Sequence, residues 1–314
     1  MKVLVCPLNW GLGHATRCIP VIQEYIDKGH EVVIAADGHP ESLLRGVFPA
    51  LRFVHLPSYN IQYQKGNSQL WAMFVSLPRI FAGILKERKW IKKMMQEEKF
   101  NCIISDNRFG LWHKKAQSIY MTHQLMIKMP GWMKWAEPIV WLGHRFFITR
   151  YNQCLIPDFA GIPNLSGDLS HLYPFPANAV FIGPLSRFSD LNAIKNNTYK
   201  TIGLVSGPEP TRTIFENYLI HRLQKENASA IIVRGLPSNK DIPESTGVVT
   251  MVNHLPADEL APILLGADKI MCRSGYTTIM DLHALNCLHK AEFHPTPGQT
   301  EQEYLAILHK KNSI

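Results

Sequence analysis

The stretch RSGYTTIMDL at residues 273–282 follows the apolar run ADKIMC (267–272) and leads on to PTPGQ (295–299). Its order predicts a buried strand, a tight polar turn around Gly275, and a helix whose second turn carries Asp281. Such a turn presents unpaired backbone N–H groups and the positive end of a helix dipole above the sheet, which suits an anion such as a diphosphate. A carboxylate about two turns into the helix suits the hydroxyls of a ribose. Taken alone, the stretch fits an ordinary βα turn equally well.

The same order recurs upstream. TIGLVS (201–206) reads as a strand, GPEPTRT (207–213) as a loop, and an amphipathic helix through Leu223 leads to the strand AIIVRG (230–235). At the N-terminus, KVLVCP (2–7) is a buried strand and not a secretion signal. It is followed by NWGLGH (9–14), a helix with Ile19, Ile22 and Ile26 on one face, Gly29 at its end, and the strand EVVIAA (31–36). His14 thus falls where the loop opens at the C-terminal edge of a parallel sheet, the edge at which open α/β sheets place ligands. A neutral imidazole there can act as general base for a hydroxyl or a water, or it can simply cap or pack against the helix. CIISDNR (102–108) ends at the same edge, making Asp106 a candidate to orient His14, and MTHQL (121–125) adds His123.

Hydrophobicity falls and Pro, Ser and Asn accumulate between residues 181 and 198. The chain is therefore expected to be α/β, with two Rossmann-like domains facing across a cleft in the GT-B manner: residues 1–187, a linker at 188–199, and residues 200–314. The length of 314 residues, 46% hydrophobic and 18% charged, agrees with two globular domains. Six scattered Cys form no CxxC pair or zinc spacing, which predicts reduced thiols and a cytoplasmic protein.

A formal charge of +8 asks for an acidic partner such as a nucleotide sugar or anionic lipid headgroups. Nucleic acid is not expected, because no nucleic-acid-binding motif accompanies the charge. No DxD triplet occurs, so neither a metal nor another cofactor is expected. Trp71, Met73, Phe74, Leu77, Ile80, Phe81, Ile84 and Leu85 recur at helical spacing and end in KERKWIKK (86–93). MIKMPGWMKW (126–135) and the segment 141–150 repeat the mixture of aromatic, Met and basic residues. Each reads as a buried helix with a solvated basic end, or as a surface lying in an anionic membrane interface.

GLGH (11–14), GPLSR (183–187), SGPEPTR (206–212) and RSGYTTIMDL followed by PTPGQTEQEYLA (295–306) resemble glycosyltransferase family 28. Its best-known member transfers GlcNAc from UDP-GlcNAc to a lipid-linked muramyl-peptide intermediate. The resemblance implies a UDP-sugar donor and a turn of Arg273, Ser274 and Gly275 beside the diphosphate, with Thr277 and Thr278 at the helix start. It implies Asp281 on the ribose hydroxyls, where the family usually has Glu, and Gln299, Glu301 and Gln302 near the donor sugar. Ser206, Gly207 and Arg212 would lie beside the phosphates, and Gly11, Gly13 and His14 in the loop that carries the base. Relatives continue into a helix that crosses back to the first domain, so the second domain is expected either to be shortened or to rely on another element to close the cleft.

The lead expectation is an inverting, metal-independent transfer of a hexose or hexosamine to a hydroxyl acceptor, including a lipid-linked one at the inner membrane face. Departing UDP would be stabilised by Arg273, Arg212 and helix N-termini. GxGHxxRC at 11–18 also looks like hydrolases that cleave the sugar–phosphate bond of UDP-linked sugars. Hydrolysis and a catalytically idle sugar-nucleotide binder stay open as alternatives.

Overall fold

The computed structural model describes residues 1–57, 69–241, 245 and 247–311. The chain runs β1 (Lys2–Cys6), α1 (Leu12–Asp27), β2 (Glu31–Ala36), α2 (Gly38–Val47), β3 (Arg52–His55), α3 (Gln69–Glu97), β4 (Cys102–Asp106), β5 (Gln117–Met121), α4 (Glu137–Ile148), β6 (Gln153–Ile156), the single turn α5 (Asp168–His171) and β7 (Ala179–Phe181). A second series follows: β8 (Thr201–Leu204), α6 (Thr211–Glu226), β9 (Ala230–Val233), β10 (Val249–Val252), α7 (Ala257–Gly266), β11 (Lys269–Cys272), α8 (Tyr276–Ala284), β12 (Ala291–Phe293) and α9 (Thr300–Lys311). A 3-10 helix, Gly131–Ala136, precedes α4.

The first series forms a seven-stranded sheet in the order β3-β2-β1-β4-β5-β6-β7, and the second a five-stranded sheet in the order β10-β9-β8-β11-β12. Every strand pairing in both is parallel. The apolar strands β1, β2 and β4 are buried along nearly their whole length because helices cover both faces of the sheet. Ala15, Cys18, Val21 and Ile22 pack one face of α1 onto Val3, Val5, Ile34 and Ile104. That helix ends where Gly29, at φ 71°, turns left-handed and donates to the Ile26 carbonyl at 2.8 Å.

Strand order reverses between β1 and β4 in the first sheet and between β8 and β11 in the second. A crevice outside the strand ends opens at such a switch point, so the topology alone brings four loops together. These are the loops after β1, β4, β8 and β11, the stretches the sequence singles out.

The two domains also share a core. Leu165 and Leu169 of the first pack with Tyr276, Ile279, Met280 and Leu305 of the second. α9 takes part through Leu305, through the Tyr304 hydroxyl accepting from the Asp168 amide at 2.7 Å, and through His309, whose Nε2 donates to the Leu165 carbonyl at 2.9 Å. Among the described residues no helix is long and apolar enough to cross a membrane. Trp71, Met73, Phe74 and Leu77, expected on an apolar helix face, lie outside the described side chains.

Candidate active site

A cavity of about 370 Å³ lies between the two sheets, in the size range of small-molecule sites. The first domain contributes Gly11, Gly13, His14, Arg17, Asn107, His123, Gln124 and Ile127. Ser206 and Gly207 line it after β8, Gly275, Thr277, Thr278 and Asp281 after β11, and Gln299, Glu301 and Gln302 at the start of α9. Its apolar end is formed by Phe188, Leu204, Val233, Leu255, Leu260 and Leu264.

The glycine loop is shaped by close approach. The Thr277 hydroxyl donates to the Gly13 carbonyl at 3.1 Å, and a Cβ on Gly13 would meet that Oγ1 at 3.0 Å. Only glycine lets α8 reach the loop without displacement. The first turns of α1, α8 and α9 all line the cavity, and neither α1 nor α8 has a side-chain cap on its leading N–H groups. Their dipoles give the cavity positive potential.

His14 and Asp106 meet as the sequence anticipates: Nδ1 lies 2.8 Å from Oδ2. Arg17, three residues on and hence on the same face of α1, binds both carboxylate oxygens through Nε, at 2.9 and 3.0 Å. Arg17 Nη2 bonds Oδ1 and lies 2.9 Å from His14 Nδ1. The carboxylate can only accept, so the 2.8 Å contact is a hydrogen bond when Nδ1 carries the proton and donates to Asp106. Nε2 then holds the free lone pair of a ring that lines the cavity. Burial, and next the Arg17 charge, hold His14 below its ordinary pKa of 6.5 against the pull of Asp106, so it is a neutral base at neutral pH. Burial pushes the Asp106 carboxyl up, but Arg17 and His14 outweigh it and keep Asp106 ionised.

From Arg17 the network crosses the domain boundary. Nη1 lies 3.0 Å from His123 Nδ1, and His123 Nε2 lies 2.8 Å from Glu301 Oε1. Arg17 fixes Nδ1 as the acceptor, so Nε2 carries the proton donated to Glu301. The His123 ring stacks on Tyr276 at 4.2 Å, nearly parallel, and the Tyr276 hydroxyl donates to the Pro157 carbonyl at 2.8 Å. Burial works against the Glu301 charge, but His123 and Arg17 hold its carboxyl below the ordinary range.

Three residues expected beside the phosphates are placed elsewhere. The Arg273 guanidinium donates to the carbonyls of His294, Pro295 and Thr211 and stacks 4.1 Å from Phe215, tying the start of α6 to the loop after β12. Burial pulls its pKa down to about 10. Arg212 is paired with Glu209 and Glu216. The Ser274 hydroxyl is spent on the Gln302 carbonyl at 2.7 Å. None of the three lines the cavity, because each completes a local carboxylate or carbonyl set that the sequence does not display. Asp281 does line it, with its carboxylate accepting from Ser186 Oγ at 2.7 Å and lying 3.4 Å from Arg187 Nε. Burial raises the Asp281 pKa against the pull of Arg187.

The cavity cations are instead Arg17 and Arg187, which sequence reasoning missed. Both were visible inside quoted motifs, GxGHxxRC and GPLSR, and Arg17 had the further signal of its spacing from His14. Among the described residues no group of three or more His, Cys, Asp or Glu is placed to hold a metal ion.

Two parallel α/β domains facing across such a cleft constitute the GT-B fold. No protein-family model matches the chain. Over 321 residues it is 21% identical to an uncharacterized glycosyltransferase of Methanosarcina acetivorans, spanning 96% of this chain and 82% of that one. Among solved structures it is similar to a Streptomyces glycosyltransferase complexed with thymidine diphosphate, with a TM-score of 0.59, 13% identity, and 98% and 86% of the two chains covered. It is similar also to a putative UDP-N-acetylglucosamine 2-epimerase from Listeria monocytogenes, with a TM-score of 0.55, 11% identity, and 100% and 89% covered.

Proposed function

We propose that this protein is a glycosyltransferase that moves a hexose or hexosamine from a UDP-sugar to a hydroxyl acceptor, by single displacement with inversion and without a metal. The observation that carries the reading is the His14–Asp106 pair at 2.8 Å, set at the switch point of one sheet and facing helix N-termini at the switch point of the other. The apolar end formed by Phe188, Val233, Leu255 and Leu260 suits the nucleobase, and Asp281 the ribose. The first turns of α8 and α9, the Ser206–Gly207 loop and Arg187 surround the space left for the diphosphate.

In this reading His14 Nε2 takes the proton of the acceptor hydroxyl as its oxygen attacks the anomeric carbon. Asp106 stabilises the imidazolium that forms. The bond from the anomeric carbon to the diphosphate oxygen breaks with both electrons going to UDP, whose charge the helix dipoles and Arg187 receive. The likeness to a glycosyltransferase from Methanosarcina and to one solved with thymidine diphosphate supports this class.

The test is product analysis with UDP-sugars in the presence and absence of hydroxyl acceptors. Acceptor-dependent release of UDP with a glycoside of inverted anomeric configuration is expected. Free sugar released equally well without acceptor would replace transfer by hydrolysis.

A further inference from the structure

We propose, resting on the transferase reading above, that the cavity wall beside His14 is a subsite for an uncharged saccharide acceptor. In it the Asn107 amide donates to a hydroxyl next to the reacting one, and the Trp10 indole covers a face of the sugar ring.

Asn107 follows directly on Asp106, the residue that holds His14, and it lines the cavity. Its φ is 54°, and its backbone N–H donates to the Met121 carbonyl at 3.1 Å, which ties the kink to the end of the neighbouring strand. A residue other than glycine in this left-handed region is uncommon, Asn being among the few that tolerate it, and such positions cluster at functional sites. The side chain is anchored from behind. Tyr120, fully buried and stacked on Phe109 at 5.7 Å, donates its hydroxyl to Asn107 Oδ1 at 3.3 Å. Among the described residues no acceptor lies within hydrogen-bonding distance of Nδ2. A primary amide carries two donors on that nitrogen, and with its oxygen held they keep a fixed direction.

Charge and shape select the ligand. Among the described residues that line this wall from Trp10 to Ile127, Arg17 alone carries a formal charge, and its guanidinium is committed to Asp106 and His123. Gln124 brings a second primary amide to the same wall. Trp10, 40% exposed, stands on the loop between β1 and α1. That loop is fixed before it by Asn9 Nδ2 donating to Asp37 Oδ1 at 3.0 Å and shaped after it by Gly11 at φ 89°. Planar amides beside an open aromatic face answer a ring with apolar C–H faces and hydroxyls around its edge, the chemistry of a pyranose. Because Asn107 adjoins the residue that holds the base, amide and base address neighbouring hydroxyls of one ring.

The test is ligand-observed NMR titration, in the presence of UDP, of the methyl β-glycosides of glucose, galactose and N-acetylglucosamine and the monodeoxy analogues of those that bind. Wild type, Asn107→Gly and Trp10→Ala are compared. Glycine adopts φ 54° without strain and Trp10 is partly exposed, so thermal unfolding of both variants should match wild type. Expected are saturable binding of a glycoside by wild type and binding weaker by about tenfold or more in each variant. One deoxy position should cost wild type about tenfold but Asn107→Gly less than about twofold, a coupling that a purely structural Asn107 does not produce. Variants that bind as well as wild type, or equal deoxy losses in wild type and Asn107→Gly, overturn the assignment. So does displacement of the glycoside by UDP-glucose or UDP-N-acetylglucosamine but not by UDP, since the ring then lies in the donor sugar's place. Calorimetry with UDP separates the two claims: glycoside binding without UDP binding removes the transferase reading and leaves a saccharide subsite, and the reverse result removes the subsite alone.

Discussion

His123 Nε2, at the end of the first sheet, lies 2.8 Å from Glu301 Oε1 in the first turn of α9, so a hydrogen bond joins the half of the cleft that carries His14 to the half that carries α8 and α9. Because His123 also accepts from Arg17 and stacks on Tyr276, the closed cleft is held at the site itself. Glu301→Ala and His123→Ala are expected to raise the radius of gyration in solution. Glu301 is 31% exposed, so Glu301→Ala should cost only about 1 kcal/mol of stability, whereas His123→Ala also removes a buried ring that stacks on Tyr276 and accepts from Arg17 and should cost more. X-ray scattering of wild type and both variants checks this, and an unchanged radius in both would remove the latch.

Arg17 has a larger structural stake. Asp106 is fully buried and Arg17 is its bidentate partner. Removing one member of a buried ion pair leaves an uncompensated charge, typically at a cost of about 3–5 kcal/mol. Arg17→Met should therefore lower unfolding free energy by about that amount in denaturant titration. A loss under about 1 kcal/mol would show that Asp106 takes up a proton or water instead.

His14→Ala should lower turnover about 100-fold or more while leaving UDP affinity within a few-fold of wild type. The base must be neutral, and burial and Arg17 keep the His14 pKa below 6.5. The kcat/KM profile should accordingly be flat through neutral pH and fall on the acid side with a midpoint under 6.5. Wild-type turnover in the variant removes the assignment.

Acid should also weaken the fold through a group outside the site. His144 is buried beside Tyr120 and the Leu125 carbonyl, and burial pulls its pKa from 6.5 to about 4. Its unfolded state therefore binds the proton first. The stability this residue contributes is complete above pH 6.5 and is lost as pH falls from there toward about 4, at about 1.4 kcal/mol per pH unit within that window. Denaturant titrations at pH 7 and 5 should show that decline, and His144→Gln should flatten it. Equal slopes in wild type and variant would contradict the origin.

The sequence announced the two sheets because parallel strands covered on both faces are near-continuous apolar runs, as in KVLVC and EVVIAA. It put His14 and Asp106 at one sheet edge because loops after such strands converge at the switch point, and the family resemblance pointed to Gly207 and Thr277, which line the cavity. Arg273 and Arg212 lie outside the cavity lining for a physical reason. An arginine next to a ligand loop can bind the ligand or the loop's own carbonyls and carboxylates, and pattern does not separate these. The His123–Glu301 bond was illegible because its partners are 178 residues apart.

The central claim is that the interdomain cavity holds a nucleoside diphosphate donor, and calorimetric titration of UDP, GDP and dTDP into wild type and Arg187→Ala tests it most directly. Expected are saturable binding of UDP by wild type and at least tenfold weaker binding by the variant. Absence of binding by all three nucleotides would contradict the donor site and leave a GT-B fold without a sugar-nucleotide function.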